Sequence, residues 1–256
     1  MNKSTSVPQL SILIPVRNEG INIKIMLKIL VSVLDVPHEI LVIYDYPNED
    51  SIPIVKKLKH TLPNIWLVRN KLGNNAADAI RTGVKEARGK YILCITADDV
   101  GPVLSIEDML GLMERGCDIV SCTRYAHGGR RLGGDPIEGF ISRIGNRLFR
   151  IIIGTTLTDS TTGIKMIRKE LFDKIRPESK IGWAILFEMV IKAQILGLKL
   201  GEVPIVSIDR LYGGASNFKL GPWFKEYLKW FLYGIQHLHV SKKRKVLLSI
   251  PKGYHT

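Results

Sequence analysis

The first half of the chain alternates between short apolar runs and longer segments with helical apolar spacing, and this alternation limits the fold to one class. The apolar runs predict buried strands at residues 10–15, 39–44, 65–69, 91–95 and 118–122. The intervening segments predict helices at residues 21–34, 51–62 and 76–87. Strands that alternate with helices form a parallel sheet covered by helices on both faces. The sequence therefore predicts an α/β fold with a Rossmann-like, mostly parallel sheet.

The second half of the chain lacks this regular alternation. A glycine-rich basic loop, two helices, an apolar strand, a polar loop and a final amphipathic helix are predicted at residues 128–134, 139–153, 185–196, 200–208, 211–220 and 223–239. Proline cannot donate a hydrogen bond within a sheet, so Pro204 predicts an edge or a bulge. We expect one α/β domain at residues 1–220, followed by the amphipathic helix and a basic tail at residues 221–256.

Charge is the strongest compositional signal. The chain has 37 Lys and Arg against 24 Asp and Glu, which gives a formal net charge of +13. Such a charge implies an anionic partner: nucleic acid, a membrane surface or a phosphate-bearing substrate. No run reaches the roughly 18 uninterrupted apolar residues that a membrane-spanning helix needs, so we expect a soluble or peripheral protein. The three cysteines form no CxxC pair, which favours reduced thiols and a cytoplasmic location.

Polar residues that follow the predicted strands are candidate binding residues, because open parallel sheets bind ligands beyond the carboxyl ends of their strands. After the first strand, Pro15, Arg17 and Glu19 belong to a turn that could hydrogen-bond a base or ribose. The alternative there is a helix N-terminus capped by Asn18. After the second strand, Asp45 is placed to accept hydrogen bonds from a base or sugar, or else to close an Asx-rich turn.

Two adjacent carboxylates, Asp98 and Asp99, follow the fourth predicted strand. In proteins Mg²⁺ is typically held by one or two carboxylates together with substrate phosphates. This position therefore predicts a divalent-metal site. The alternative is an acidic loop that precedes a helix starting near Ser105.

Arginines are frequent in the second half of the chain. Arg124 follows the fifth strand and Arg210 precedes a glycine pair, so both flank loops of small residues. The other arginines lie in the glycine-rich loop or on one face of the following helix: Arg130, Arg131, Arg143, Arg147 and Arg150. Arginine forks match phosphate oxygens, so carboxylates on one side and arginines on the other fit a leaving diphosphate. For Arg147 and Arg150, a solvated or lipid-facing basic face is the stronger alternative.

Asp159 is the single carboxylate in a segment of hydroxyl residues at 158–163. Hydroxyl donors around a carboxylate can hold a general base in position. The same pattern also forms a capped turn, and the spacing does not decide between these two structures.

Taken together and in order, these loops resemble the family 2 glycosyltransferases of GT-A fold, and within them the branch of dolichyl-phosphate mannose and polyprenyl-phosphate glucose synthases. The resemblance extends from residue 10 to about residue 220. It implies that the turn at residues 11–19 and Asp45 bind the donor nucleotide, and that the stretch beginning at Ala79 closes over the nucleoside. It also implies that Asp98 belongs to the metal motif, in which Thr96 replaces the first aspartate.

The resemblance further implies that Arg124 meets the diphosphate of the donor and that residues 142–146 belong to a helix on the acceptor side. Asp159 matches the loop that carries the proposed base. Arg210 and Ser216 match a closing loop that holds the donor phosphates, and catalytic roles therefore fall to Asp159, Arg124 and Arg210.

The function implied by this resemblance is inverting transfer of a sugar from a nucleotide-diphosphate sugar to a polyprenyl or dolichyl phosphate, with Mg²⁺ or Mn²⁺ bound by Asp98 and Asp99. A lipid phosphate is already ionised and needs no base, whereas a hydroxyl acceptor would pass its proton to Asp159. A soluble or glycan hydroxyl acceptor, an inactive relative, and a basic nucleic-acid-binding module remain alternatives. The last is disfavoured because the basic residues are not interleaved with base-stacking aromatics.

The last helix bears on the membrane. On a helical projection of residues 223–238, one face is apolar and aromatic: Trp223, Phe224, Tyr227, Leu228, Phe231, Ile235 and Leu238. A basic cluster follows at residues 242–245. Such a helix is typical of a protein that lies on the surface of an anionic membrane, here its cytoplasmic face. The alternative is that this face packs on the protein's own core or on a second subunit of a homodimer.

Overall fold

The computed structural model describes residues 7–134, 136–208, 220–238 and 247–249. The strands are β1 Leu10–Val16, β2 His38–Tyr44, β3 Ile65–Arg69, β4 Tyr91–Cys94, β5 Ile119–Thr123, β6 Arg130–Leu132, β7 Lys165–Arg168, β8 Leu200–Pro204, β9 Val206–Ile208 and β10 Leu247–Leu248. The helices are α1 Gly20–Val33, α2 Ser51–Lys59, α3 Ala76–Glu86, α4 Ile106–Glu114, α5 Pro136–Ile153, α6 Lys169–Ile175, α7 Ala184–Ile195 and α8 Leu220–Leu238, with a 3₁₀ helix at Gly101–Ser105.

The main sheet has the strand order β10-β8-β5-β7-β4-β1-β2-β3. Every neighbouring pair is parallel except those of β7, which runs antiparallel to β4 and to β5. The predicted mostly parallel sheet is therefore confirmed. The segment predicted as one strand at 200–208 divides after Pro204, where the chain leaves the main sheet and pairs β9 with β6 in a second, two-stranded sheet.

The two faces of the main sheet are covered by different helices, as predicted. Side chains of a strand alternate between the faces, so Ile12 and Ile14 of β1 point to one core and Leu13 points to the other. Helices α1 and α4 pack on the first face, and α3, α6 and α7 pack on the second. Helix α3 lies very close to the sheet, since a Cβ atom at Gly83 would come within 2.9 Å of the Leu13 and Ile43 side chains.

Helix α8 joins the body of the protein through a third core cluster. This cluster combines residues of α5, α7 and α8: Phe149, Ile153, Phe187, Ile191, Trp230 and Leu238. The Tyr227 and Phe231 rings pack against it, with ring-centroid distances of 5.4 Å to Phe187 and 5.7 Å to Phe149. Much of the predicted apolar face of this helix therefore contacts the protein itself.

Three large apolar residues of α8 are exposed at helical spacing: Phe224, Leu228 and Leu232. The boundary predicted at residue 220 stays a prediction, and the basic cluster at 242–245 lies outside the described residues. In the part of the chain that the structure describes, no helix is both long and apolar enough to cross a membrane.

Candidate active site

The direction of β7 brings the predicted site residues to one edge of the sheet. The loops after β1, β2, β4 and β5 leave at the carboxyl ends of parallel strands. Because β7 is antiparallel to β4 and β5, the loop that precedes it lies at this same edge. This loop carries Asp159, which therefore meets Arg124 at the end of β5.

Arg124 and Asp159 form a buried ion pair with two parallel contacts. The Arg124 Nε donates to Asp159 Oδ2 at 2.7 Å, and Nη2 donates to Oδ1 at 3.1 Å. The Asp159 side chain is fully buried, whereas 15% of the Arg124 side chain is exposed. The paired guanidinium is thus fixed in orientation at the edge of the sheet.

Asp159 also accepts hydrogen bonds from its own loop and from α5. Its Oδ1 receives bonds from the Asn146 amide, the Thr161 hydroxyl and the Thr162 backbone N–H, each at 3.2 Å. Burial opposes ionisation, but the Arg124 guanidinium outweighs it and holds the pKa of the Asp159 carboxyl below its ordinary value. A carboxylate with so many donors orients its neighbours well but is a weak proton acceptor.

Hydroxyl groups surround the exposed end of the Arg124 side chain. Tyr125 Oη donates to Ser142 Oγ at 2.9 Å, and Ser142 Oγ lies 3.1 Å from Thr161 Oγ1. Arg124 Nη2 lies 3.5 Å from Ser142 Oγ, and the Arg143 guanidinium is 5.3 Å from the centre of the Tyr125 ring. Cationic forks beside hydroxyl groups are the chemistry that binds a phosphate.

Two buried charged residues, Lys165 and Glu202, support this loop from the sheet. Lys165 Nζ donates to the Thr162 carbonyl at 2.6 Å, and burial lowers the pKa of Lys165 to about 8 although Asp159 attracts its proton. Glu202 accepts bonds from the Thr158 and Asp159 backbone N–H groups at 2.9 and 3.1 Å. Burial raises the pKa of Glu202 to about 7.

Neither Lys165 nor Glu202 is among the site residues predicted from the sequence. A lysine inside the apolar run at 164–167 and a glutamate inside the strand at 200–208 were the available signals. Charged residues are rarely buried in strands without partners, so each marks a polar cluster behind the sheet.

Two residues predicted to bind the donor, Arg17 and Asp45, lie near each other beyond the ends of β1 and β2. Asn70 Nδ2 donates to Asp45 Oδ1 at 2.8 Å. Burial raises the pKa of Asp45, and the nearby Arg17 charge acts in the opposite direction. The Arg17 guanidinium lies 5.7 Å from the centre of the Tyr46 ring, so a cation, an aromatic face and a carboxylate share this corner.

The turns around this corner are held by their own residues. Glu49 Oε1 accepts bonds from the Asp45 and Tyr46 backbone N–H groups, both at 3.1 Å. Helix α1 begins after Glu19, whose N–H donates to Ser51 Oγ at 3.0 Å. The predicted alternative of an Asn18 cap is wrong, because Asn18 has φ 56° and the N-cap position belongs to Glu19.

Two of the predicted donor-binding residues are less accessible. Pro15 is half-buried within β1, where it pairs with Ile43 of β2. Ala79 is 2% exposed and belongs to the core under α3. A contact from α3 to a nucleoside would therefore come from partly exposed neighbours such as Asp78.

The two carboxylates after β4 have different surroundings. Asp99 is buried; its Oδ2 accepts from the Ser207 hydroxyl, and its Oδ1 accepts from the Ile208 and Gly101 N–H groups at 3.0 and 3.2 Å. Asp99 therefore ties this loop to β9, and burial raises the pKa of its carboxyl. Asp98 is half-buried at the same edge.

The donor set fits a metal that arrives with a phosphate ligand. Among the described residues, no three His, Cys, Asp or Glu side chains are grouped closely enough to hold a metal ion. Asp98 thus offers one carboxylate, and Mg²⁺ is commonly bound by one or two carboxylates plus substrate phosphates. Arg210 and Ser216, the predicted closing-loop residues, lie outside the described residues.

A second groove, between α3 and α6, does not belong to this site. It is lined by Arg81, Lys90 and Lys169 among others, and Lys90 lies at the start of β4, at the opposite edge of the sheet. The basic groups of this groove largely bind carbonyl oxygens, as Arg81 does with Pro177 and Ser179 at 3.0 and 2.6 Å.

The comparison with known families agrees with the fold and the edge that carries the site. Residues 11–176 match the family model described as Glycosyl transferase family 2. The chain therefore belongs to glycosyl transferase family 2, as the motifs predicted.

Three curated relatives whose names mention dolichol or dolichyl phosphate are similar to this chain in sequence. A dolichol-phosphate mannosyltransferase of Pyrococcus furiosus is 26% identical over 224 residues, covering 86% of this chain and 62% of the relative. A dolichyl-phosphate hexose transferase of Haloferax volcanii is 28% identical over 57% of this chain and 60% of the relative. A dolichyl-phosphate β-glucosyltransferase of Dictyostelium discoideum is 25% identical over 77% of this chain and 65% of the relative. The chain thus spans less than two thirds of the length of each.

Solved structures share the fold at low identity. Glucosyl-3-phosphoglycerate synthase from Mycobacterium tuberculosis, in complex with Mg²⁺ and uridine diphosphate, has a TM-score of 0.66 and 15% identity, covering 90% of this chain and 80% of that one. The structure of the same enzyme with Mn²⁺, uridine-diphosphate glucose and phosphoglyceric acid has the same TM-score, identity and coverage. The predicted GT-A, α/β fold is thereby confirmed.

Proposed function

We propose that this protein is an inverting glycosyltransferase that moves a sugar from a nucleotide-diphosphate sugar to a polyprenyl or dolichyl phosphate. The names of the curated relatives support this acceptor class. The observation that carries the proposal is the state of Asp159. Its carboxylate is saturated by donors and paired with Arg124, so it suits an acceptor that is already ionised and needs no base.

The acceptor phosphate fits the cluster at the exposed end of Arg124. Arg124, Tyr125 and Ser142 present a fixed guanidinium and two hydroxyls within a few hydrogen-bond lengths of one another. Helix α5 supplies Ser142, and the Asn146 amide also donates to the Asp159 carboxylate that pairs with Arg124. In this arrangement Arg124 binds and orients the acceptor phosphate, instead of the donor diphosphate to which the resemblance assigned it, and Asp159 is a positioning residue.

The donor occupies the corner formed by the ends of β1, β2 and β4 in this proposal. Asp45 accepts hydrogen bonds from the base or ribose, Arg17 and Glu19 contribute from the β1 turn, and Arg210 and Ser216 hold the diphosphate. Asp98 would hold Mg²⁺ or Mn²⁺, which supplies positive charge next to the leaving diphosphate when it is bound. The Mg²⁺ and Mn²⁺ complexes of the structural neighbours support a divalent ion of this kind.

The reaction is a single in-line displacement. An oxygen of the acceptor phosphate forms a bond to the anomeric carbon while the bond from that carbon to the diphosphate breaks, so the configuration inverts. Arg124 keeps the attacking phosphate in line, which is worth several orders of magnitude in rate when the geometry is maintained. No proton has to move in this step.

A transfer assay with a short-chain polyprenyl phosphate tests the proposal. The purified chain is incubated with labelled nucleotide sugars and Mn²⁺, and the label is followed into a phosphate-linked product that partitions into organic solvent. Transfer from at least one nucleotide sugar is expected. A folded chain that binds a nucleotide diphosphate but transfers sugar to no polyprenyl phosphate would contradict the proposed acceptor.

A further inference from the structure

Helix α5 exposes a continuous apolar surface on the side away from the site. Its residues recur at helical spacing and are between 40% and 69% exposed: Ile137, Phe140, Ile141, Ile144, Leu148, Ile151 and Ile152. We call this set the α5 stripe. Exposed apolar surfaces of this size on one helix mark a docking site, because isolated apolar residues are common on protein surfaces but contiguous stripes are not.

The opposite face of α5 is committed to the protein. Ser142 and Asn146 point into the phosphate-binding cluster, and Phe149 and Ile153 are buried against α7 and α8. The helix therefore separates two environments, and its orientation is fixed by the buried side. An amphipathic helix usually hides its apolar face, but here apolar residues occupy both faces: Phe149 and Ile153 are buried, whereas the α5 stripe is exposed.

A row of arginines borders the stripe on one side. Arg143, Arg147 and Arg150 are all exposed and follow one another at helical spacing. Placed at 100° per residue, the three lie together beside the stripe rather than within it. Apolar residues beside basic residues form the surface of helices that lie in the interface of an anionic membrane.

We propose that the α5 stripe and its arginine row dock the protein on an anionic lipid bilayer. The stripe would enter the boundary between head groups and acyl chains, and the arginines would contact lipid phosphates. The formal net charge of +13 adds long-range attraction to such a surface. This proposal deepens the proposed function and in part rests on it, since α5 would then hold Ser142 within about one helix diameter, roughly 10 Å, of the bilayer that contains a polyprenyl phosphate.

A second copy of the chain fits the stripe less well. Antiparallel packing of two stripes about a two-fold axis would bring the arginine rows of the two copies together. The single carboxylate in the α5 sequence is Glu138, in its first turn, so these arginines would lack acidic partners on the same surface. Charge complementarity therefore favours an anionic lipid surface over self-association.

Co-sedimentation with lipid vesicles tests the docking surface. The full chain should bind vesicles of phosphatidylcholine and phosphatidylglycerol, and bind pure phosphatidylcholine much less. Changing Ile144, Leu148 and Ile151 to Gln should reduce binding by roughly tenfold per residue. Changing Arg143, Arg147 and Arg150 to Gln should reduce binding to the anionic vesicles alone, by about fivefold per residue, and weaken its salt dependence.

A matched variant controls for surface hydrophobicity. Ile21, Leu72 and Leu104 are 52%, 61% and 75% exposed on other segments, and changing all three to Gln should leave vesicle binding unchanged. Wild-type binding by the stripe variant would overturn the proposal. So would a wild-type dimer that the stripe variant converts to a monomer without any loss of vesicle binding, because the occupant would then be a second copy.

The failure of this proposal can be told apart from failure of the proposed function. The stripe variant should keep transfer to a water-soluble short-chain polyprenyl phosphate and lose transfer to a long-chain acceptor embedded in vesicles. Absence of transfer to either acceptor by the wild-type chain would count against the proposed function alone, since vesicle binding is measured without any substrate.

Discussion

The Arg124 guanidinium and the Asp159 carboxylate form a two-point ion pair, 35 residues apart in sequence, with Nε–Oδ2 and Nη2–Oδ1 distances of 2.7 and 3.1 Å. Desolvating two charges is costly, and the two parallel contacts of this pair offset that cost while they fix the direction of the guanidinium. Here the pair fixes the Arg124 guanidinium beside Ser142 Oγ, to which the Tyr125 hydroxyl also donates. This relationship underlies the proposed acceptor site.

Asp159→Asn should lower transfer by at least about a hundredfold, because the Arg124 fork loses its orientation. It should also reduce the free energy of unfolding by roughly 3–5 kcal/mol, since a buried charge loses its partner.

A double-mutant cycle with Arg124→Gln measures whether the two residues act as a unit. The double variant should be about as slow as the Arg124 variant alone, and multiplied losses would contradict a positioning role. Asp118→Asn, in a partly exposed pair with Arg168 at 3.5 Å, is the stability control.

Asp98 and Asp99 should respond differently to substitution. Asp98→Ala should abolish transfer and weaken Mn²⁺-dependent nucleotide binding. Asp99→Ala should instead reduce the free energy of unfolding by roughly 1–3 kcal/mol, because Ser207 and two backbone N–H groups lose their acceptor. Nucleotide titration and thermal unfolding of both variants check this. Retained transfer in Asp98→Ala at saturating Mn²⁺ would exclude Asp98 as the metal ligand.

Glu202 should make the stability of the protein depend on pH. Its pKa is about 7 in the folded chain, against an ordinary value of 4.5. Between pH 4.5 and 7 the folded state binds more protons than the unfolded chain. The stabilisation that comes from this raised pKa is therefore complete below pH 4.5 and is lost as the pH rises through 7. The loss amounts to roughly 3 kcal/mol.

Glu202→Gln imitates the protonated carboxyl and should remove most of that pH dependence. Its amide oxygen can still accept from the Thr158 and Asp159 N–H groups, and its NH₂ can donate to Thr158 Oγ1. Urea unfolding of both proteins at several pH values between 4.5 and 7.5 makes the comparison. Parallel pH profiles for the two proteins would show that Glu202 does not titrate in this range.

Arg210→Ala should weaken donor binding and slow transfer, because arginine forks bind diphosphates in two-point contacts. This prediction rests on the sequence, since residues 209–219 lie outside the described part of the chain. Equilibrium binding of a nucleotide-diphosphate sugar is the measurement, and Arg115→Ala, at an exposed position near the start of β5, is the matched control. Equal affinity in the two variants would remove Arg210 from the donor site.

The parallel strands of the sheet could be predicted because each is a continuous apolar run, as expected for strands covered on both faces. Strand β7 could not be predicted in this way. It has four residues, one of them the buried Lys165, and its antiparallel place between β4 and β5 results from tertiary packing. The separate motifs of Arg124 and Asp159 were therefore visible in the sequence, whereas their pairing was not.

The amphipathic helices show a similar limit. A helical projection identifies the apolar face of α8, but it does not say what covers that face. In the structure Trp230 is 2% exposed at the centre of the third core cluster, although the projection had left it outside the apolar face. The exposed apolar surface belongs largely to α5, where the sequence had drawn attention to the arginines alone.

The acceptor group is the most direct test of the whole account. Transfer is measured with two acceptors of identical short polyprenyl chains, one ending in a phosphate and the other in a hydroxyl, at the same donor and Mn²⁺ concentrations. We predict transfer to the phosphate, none to the alcohol, and loss of transfer in the Arg124→Gln variant. Efficient transfer to the alcohol, with a rate that depends on Asp159 but not on Arg124, would contradict the account.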